Sequence, residues 1–296
     1  GAGNITFNSS PIAIGSGLLT KNGAGVVEYD FPNTYTGLTT VNAGTIQYGV
    51  DNAILSGGIT VNGGTLDVGT YSDIVGAVTL GTLMGASGTI TGSTGVLSGT
   101  SYTLNAGTIS AIIGGPAATI TKNTPGTATL TRANTFTGAT TVNFGTLKIQ
   151  DSYALGYIDG TTTISSGASL QLDGTGLSVP EFITISGVGI LNQGAIFNTT
   201  GNNAITGLVT LAAASSIETA SGTTLTFSNG GFTGAFGLTF DIVGDVVVSA
   251  PIATSTGTLN KNGAGTATLT ALNSYTGATT INSGVLQLNG NGSIAM

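Results

Sequence analysis

Histidine, cysteine and tryptophan are absent from the 296 residues of this chain. Their absence removes imidazole bases, thiol nucleophiles, His/Cys metal sites, c-type haem attachment and disulfides. Charge is scarce too: Asp, Glu, Lys and Arg make up 6% of the residues, where an ordinary soluble domain carries about 25%. The basic residues are five, Lys21, Lys122, Arg132, Lys148 and Lys261, and they are scattered from position 21 to position 261. No patch of them neutralises several phosphates together, so nucleic acid is not an expected partner. Long apolar runs are missing as well. The densest are pieces such as Val246-Val247-Val248, and no stretch nears the roughly 18 residues of a membrane-spanning helix, so no membrane insertion of this segment is expected. The first residues lack a charged n-region before an apolar stretch, which places any export signal outside this sequence.

What the chain does have is 50 glycines, 40% hydrophobic residues and a net charge of only −7, a balance that folds. It also repeats itself. Residues 21–49, KNGAGVVEYDFPNTYTGLTTVNAGTIQYG, align without a gap to 122–150, KNTPGTATLTRANTFTGATTVNFGTLKIQ, and to 261–289, KNGAGTATLTALNSYTGATTINSGVLQLN. Within and between these blocks a shorter unit, apolar-Asn-x-Gly-x-Leu/Ile, recurs at Val41–Ile46, Val61–Leu66, Leu104–Ile109, Val142–Leu147 and Ile281–Leu286. Its spacings lie near multiples of about 20, the length of one coil in many solenoids.

The unit reads as a bend between short strands. Asn and Gly tolerate positive φ, so the chain turns there at little steric cost. The residues that follow, such as Thr65-Leu66-Asp67-Val68, alternate apolar and polar with period two. No helical period persists, and the many Thr, Val and Ile favour strand. Tandem β-sandwiches would also give short, regularly spaced strands. The unequal offsets between the blocks, 101 residues and then 139 (122 − 21 and 261 − 122), favour a solenoid, into which whole coils are inserted or from which they are lost. The expected fold is an all-β parallel β-helix with coils of about 20 residues, running as one continuous body over residues 1–296.

The three blocks follow the pattern K-N-G-x-G-x-x-x-L-x-x-x-N-x-Y-T-G-x-T-x-V-N-x-G-x-L, which resembles the autotransporter-associated β-strand repeat found in passenger regions of bacterial type V secreted proteins. The middle copy departs from it with Thr124-Pro125, and the first carries Tyr29 where the others have Leu130 and Leu269. The resemblance implies a right-handed β-helix at the bacterial cell surface or outside the cell, attached to the outer membrane or released. It implies a structural or adhesive shaft with no catalytic residues, no cofactor and no metal. Partners under that reading are surface glycans or proteins of host or neighbouring cells. A self-assembling extracellular fibre or sheath subunit and a polysaccharide-cleaving β-helix enzyme are the alternatives.

The enzyme alternative needs clustered carboxylates. Glu28 and Asp30, spaced i, i+2, project from one strand face, the start of a paired-carboxylate site. Their equivalents in the other copies are Thr129 and Thr131, and Thr268 and Thr270, which marks an ordinary solvent-facing ladder. A coil length of about 20 also lets Asp51 approach Asp73 and Asp151 approach Asp173. Tyr35, Phe136 and Tyr275 share one repeat position, which suits either a filled bend or a ligand-stacking ring. Lys21, Lys122 and Lys261 recur just before turn asparagines and are expected at exposed corners, keeping the coils soluble. Both termini fall inside the repeat pattern, so open edges are expected, with a longer chain or end-to-end self-association as the consequence.

Overall fold

Alternating apolar residues and Asn/Gly corners set the local geometry. In the computed structural model, which describes residues 3–7, 10–55 and 57–294, the alternating runs are short β-strands, and every pairing among the described residues is parallel. The corner glycines Gly44, Gly145 and Gly284 take φ of 69°, 76° and 72°, a region that a side chain makes costly. Helix is confined, among the described residues, to one 3₁₀ turn at Ile190–Asn192. None is long and apolar enough to cross a membrane. The chain packs as two units, Gly1–Ala139 and Thr140–Met296, each a parallel β-solenoid.

In the first unit one column of strands runs through Ile5–Phe7, Val26–Tyr29, Thr45–Tyr48, Thr65–Asp67, Gly88–Thr91, Gly107–Ile109 and Thr127–Leu130. A second runs through Leu19–Lys21, Thr39–Val41, Ile59–Val61, Val78–Leu80, Ser101–Leu104 and Thr119–Lys122. Asp73–Ile74, Val96–Ser98 and Ile112–Gly114 form a third, shorter face. Register matches like with like: Val41, Val61, Leu80 and Leu104 stack inward while Thr40, Thr60, Thr79 and Thr103 point out.

The second unit stacks Gly145–Ile149, Ala168–Asp173, Ile196–Thr200, the second half of Val209–Thr219, Leu238–Asp241, Leu259–Asn262 and Thr279–Ile281. Thr140–Val142, Thr162–Ile164, Ile183–Gly187, the first half of Val209–Thr219, Phe232–Gly234 and Ile252–Ala253 form its neighbour. Coil length varies: Leu259 pairs with Thr279, 20 residues on, whereas Leu170 pairs with Ile196, 26 residues on.

One expectation is corrected here. Gly145–Ile149 and Val285–Leu288 are equivalent in the repeat, yet they lie in different columns, because the latter pairs with Thr266–Leu269 in a separate six-stranded sheet of the second unit. The 139-residue offset is therefore not a whole number of coils. Part of a coil separates the blocks, and Val209–Thr219, eleven residues long and spanning two columns, lies between them.

Asparagines hold the corners together. Asn62 Nδ2 donates to Asn42 Oδ1 and Asn42 Nδ2 to Asn22 Oδ1, both at 2.8 Å, and Asn282 repeats this on Asn262. At the other bend Asn33 accepts from Ile12 N and donates to Ala53 O, so it ties one coil to the next on each side. Asn273 does the same between Ile252 and Ser293.

Candidate functional site

The recurring lysines are not at exposed corners; that expectation is corrected. Lys21, Lys122 and Lys261 are buried, Lys122 and Lys261 fully. Register explains it: Lys21 stacks on Val41 in the inward ladder of the first unit, and Lys261 sits between Phe240 and Ile281 in the second. The methylene stem occupies a place that other coils give to Val, Leu or Phe, while the ammonium reaches the turn. Lys261 Nζ donates to the carbonyls of Asn262, Gly263 and Ser283 at 2.6, 2.8 and 3.3 Å. Lys21 Nζ serves Gly23 O and Ala43 O in the same manner. In the middle copy, Thr124 replaces the glycine and supplies both its carbonyl and its Oγ1 to Lys122. A Cβ on Gly44 or Gly284 would run into the ammonium, a second reason for glycine there. Burial pulls the Lys122 ammonium down to about 8, and it shifts Lys261 in the same direction. The period-two pattern Leu19-x-Lys21, Ile120-x-Lys122, Leu259-x-Lys261 carried this signal.

Tyr35 and Phe136 are 0% exposed and Tyr275 2%. Each ring fills its bend, and no ring face is open to a sugar. The Tyr35 and Tyr275 hydroxyls meet Thr39 and Thr279 Oγ1 at 2.7 and 2.8 Å. Thr140, the matching threonine of the copy whose ring is Phe136, has an unpartnered Oγ1.

Among the carboxylates, Glu28 lies on the outward ladder beside Gln47, within 3.3 Å of Thr6 Oγ1, and the inward Tyr29 separates it from Asp30. Asp151 and Asp173 take different partners. Asp173 receives Gln150, Thr200 and Lys148 at 2.9, 2.8 and 3.2 Å, and these hold its carboxyl down at about 2. Asp151 Oδ1 accepts from Tyr153 N.

Asp51 and Asp73 do approach, but not as an open dyad. Asp51 caps Ser72 N at 2.7 Å, while Asp73 turns inward, 1% exposed, and accepts from Ile54 N at 2.9 Å. Around it lie the buried rings of Tyr29, Tyr35 and Tyr48. Burial first, and Asp51 to a lesser degree, raise the Asp73 carboxyl to about 6. Its Oδ1 and the hydroxyls of Tyr29 and Tyr48 make no well-formed hydrogen bond, although the Tyr48 hydroxyl lies beside the Asp73 carboxyl and the Tyr29 hydroxyl beside that of Tyr35. The sequence reading missed this cluster, although Asp73 shares an alternation with the buried Val75.

Two further acids were also missed. Glu181 is buried against Thr162 Oγ1 at 3.2 Å, and burial lifts it to about 7. Glu218 is raised to about 7 by burial and by Asp241, its neighbour one coil on. A cleft of about 350 Å³ is lined by this Asp241 with Val188, Asn192, Ser216, Thr239 and Asn262. Among the described residues no three acidic side chains are grouped to hold a metal ion.

Comparison with known proteins agrees with this architecture. The Passenger-associated-transport-repeat family matches residues 29–47, 49–68, 120–149 and 259–288. Among curated proteins, the Adhesin BmaC autotransporter of Brucella suis biovar 1 (strain 1330) is 29% identical over 239 residues. That alignment takes in 74% of this chain and 7% of the relative's length. No solved structure matches the chain.

Proposed function

The chain carries autotransporter passenger repeats, and from that premise we propose that it is an adhesive, non-enzymatic segment of a secreted or cell-surface protein. The observation that carries this reading is where the unusual groups are used. Lysines, bend tyrosines and asparagines that look chemically promising in sequence are spent on turn carbonyls, bend packing and coil-to-coil ties. Of the acids with raised protonation, Asp73 and Glu181 face the interior, which leaves Glu218 with Asp241 as the pair an enzyme would have to use. Glycan cleavage by paired carboxylates needs both groups open to the same bond.

The reading is tested by coupling the purified chain to beads and measuring their retention on cells and on extracellular matrix, alongside a panel of neutral and uronic glycans assayed for released ends. Retention with no glycan turnover is expected. Turnover abolished by Glu218→Gln, Asp241→Asn or Glu28→Gln would overturn it in favour of an enzyme.

A further inference from the structure

The eight tyrosines fall into two groups. Tyr29, Tyr35, Tyr48, Tyr102 and Tyr275 are buried and Tyr71 is half-buried, whereas Tyr153 and Tyr157 are each 53% exposed. Those two share one loop, Asp151–Gly160, with Ile158 exposed to the same extent.

This loop is held by tight turns. Asp151 accepts Tyr153 N on Oδ1 at 2.9 Å and Ala154 N on its carbonyl at 3.2 Å. Gly156 N closes on Tyr153 O at 3.0 Å and Gly160 N on Tyr157 O at 3.1 Å. Between the rings, Ala154 and Leu155 plug into the core, and Ser152 Oγ accepts Ser178 N of the next coil at 2.8 Å. Neither exposed ring packs on another aromatic ring among the described residues. Two rings held out on a fixed backbone lose little freedom on binding, which is what makes tyrosine effective in contact surfaces.

Electrostatics select the ligand. Every cation of the chain is engaged internally: Lys21, Lys122 and Lys261 on turn carbonyls, Arg132 on Gly92 and Ser93 carbonyls, Lys148 on Asp173. The net charge is −7. The loop adds Asp159 at its exposed tip, two residues from Tyr157. Aromatic rings on a loop that also carries Asp151 and Asp159, on a surface whose cations are already bound, complement ammonium and guanidinium groups and repel anions.

We propose that the Asp151–Gly160 loop is a contact site for Lys- and Arg-bearing polypeptide, gripping cationic side chains with the Tyr153 and Tyr157 rings and Asp159. The inference rests on the adhesive reading above and gives it a partner chemistry. The test is fluorescence anisotropy of a labelled Gly-Arg-Gly-Lys repeat peptide with the whole chain. Wild-type protein binds, and binding weakens as salt rises. Y153A/Y157A loses roughly fourfold to twenty-fivefold in affinity, from about two- to fivefold per ring. Y153F/Y157F retains affinity because the ring faces remain, and D159N weakens binding mainly at low salt. Exposed rings make the alanine variant fold normally, which its unchanged melting temperature checks.

Equal affinity of wild type and Y153A/Y157A overturns the proposal, as does absence of peptide binding by the wild type. So does an uncharged glycan that displaces the peptide and itself depends on both rings. Bead adhesion unaffected by Y153A/Y157A removes the loop while leaving the adhesive function standing. Peptide binding that depends on the rings, with no bead adhesion, does the opposite.

Discussion

The interiors of the two units solve one packing problem with different chemistry. In the first, Tyr29, Tyr35, Tyr48 and Tyr102 carry hydroxyls into the coil and Asp73 brings a carboxyl. In the second, Phe227, Phe232 and Phe240 pack ring against ring, with centroids 4.6 and 6.1 Å apart. The outward ladders are alike, with Thr rungs on the strands and Asn rungs at the corners in both. An inward position thus asks for volume and a match with the rung above and below, and it accepts a polar atom only where a partner is near. Tyr102 meets that condition, since its hydroxyl donates to Gly114 O at 2.8 Å and accepts from Gly99 N at 2.7 Å. The Asp73 cluster does not meet it fully, with three polar atoms that lack a well-formed hydrogen bond. Buried unpaired polar groups cost stability, so the tyrosine-lined coils are the weaker design where partners are missing.

The largest effect is expected from the apolar interior. Phe232→Ala deletes a fully buried ring in contact with both Phe227 and Phe240, and it should lower the unfolding free energy by about 3–5 kcal/mol. Denaturant titration measures it. A loss below about 1 kcal/mol would mean that the second unit packs no more tightly than the first.

Asp73 provides the next test, and its sign is opposite. Its folded-state value of about 6 lies above the model-compound 3.8, so its contribution is most favourable below pH 4 and is lost as pH rises to 6. Asp73→Asn keeps an oxygen for Ile54 N and offers a donor to Tyr48. It should stabilise the protein at pH 7 by about 2–3 kcal/mol and leave it unchanged near pH 4. Melting curves of both proteins across that range decide; a pH-independent difference would show that the carboxyl is not the cause.

Much of this was legible in the chain, and what was not has a physical reason. The parallel coils followed from period-two alternation and Asn-x-Gly corners, which reappear as stacked rungs such as Val41 on Val61 and as the Asn22-Asn42-Asn62 amide ladder. The lysines were misplaced because a charge before a turn reads as solvent-facing. Alternation put Lys21 in line with Leu19, and burial won because turn carbonyls could receive the ammonium. The Asp73 cluster was harder to see. Three of its members, Tyr29, Tyr35 and Tyr48, come from one copy and the carboxyl from the coil beyond, so only register brings them together. The Tyr153/Tyr157 loop lies between repeats, where periodicity says nothing.

The lysine itself gives a third measurement, one that applies to both units. Lys261→Met keeps the stem in the inward ladder and removes the donor from the Asn262, Gly263 and Ser283 carbonyls. The cost should be about 2 kcal/mol, reduced from the loss of charged hydrogen bonds by easier burial of the thioether. An unchanged or raised stability would show that desolvation of the ammonium cancels what the carbonyls return.

The smallest expected effect isolates a single hydroxyl within the first unit. Tyr35→Phe leaves the ring in its bend, where Phe136 already shows that phenylalanine fits, and removes only the 2.7 Å partner of Thr39 Oγ1. Thr39 is fully buried, so its oxygen would be orphaned as Thr140's is. The change should cost about 1 kcal/mol, the net worth of a buried neutral hydrogen bond. Tyr35 also touches the Asp73 cluster, since that carboxylate disfavours ionisation of the ring hydroxyl. Combining Tyr35→Phe with Asp73→Asn therefore separates two cases. Additive effects mean that Tyr35 serves its threonine alone, and a coupling near 1 kcal/mol means that its hydroxyl belongs to the network around Asp73.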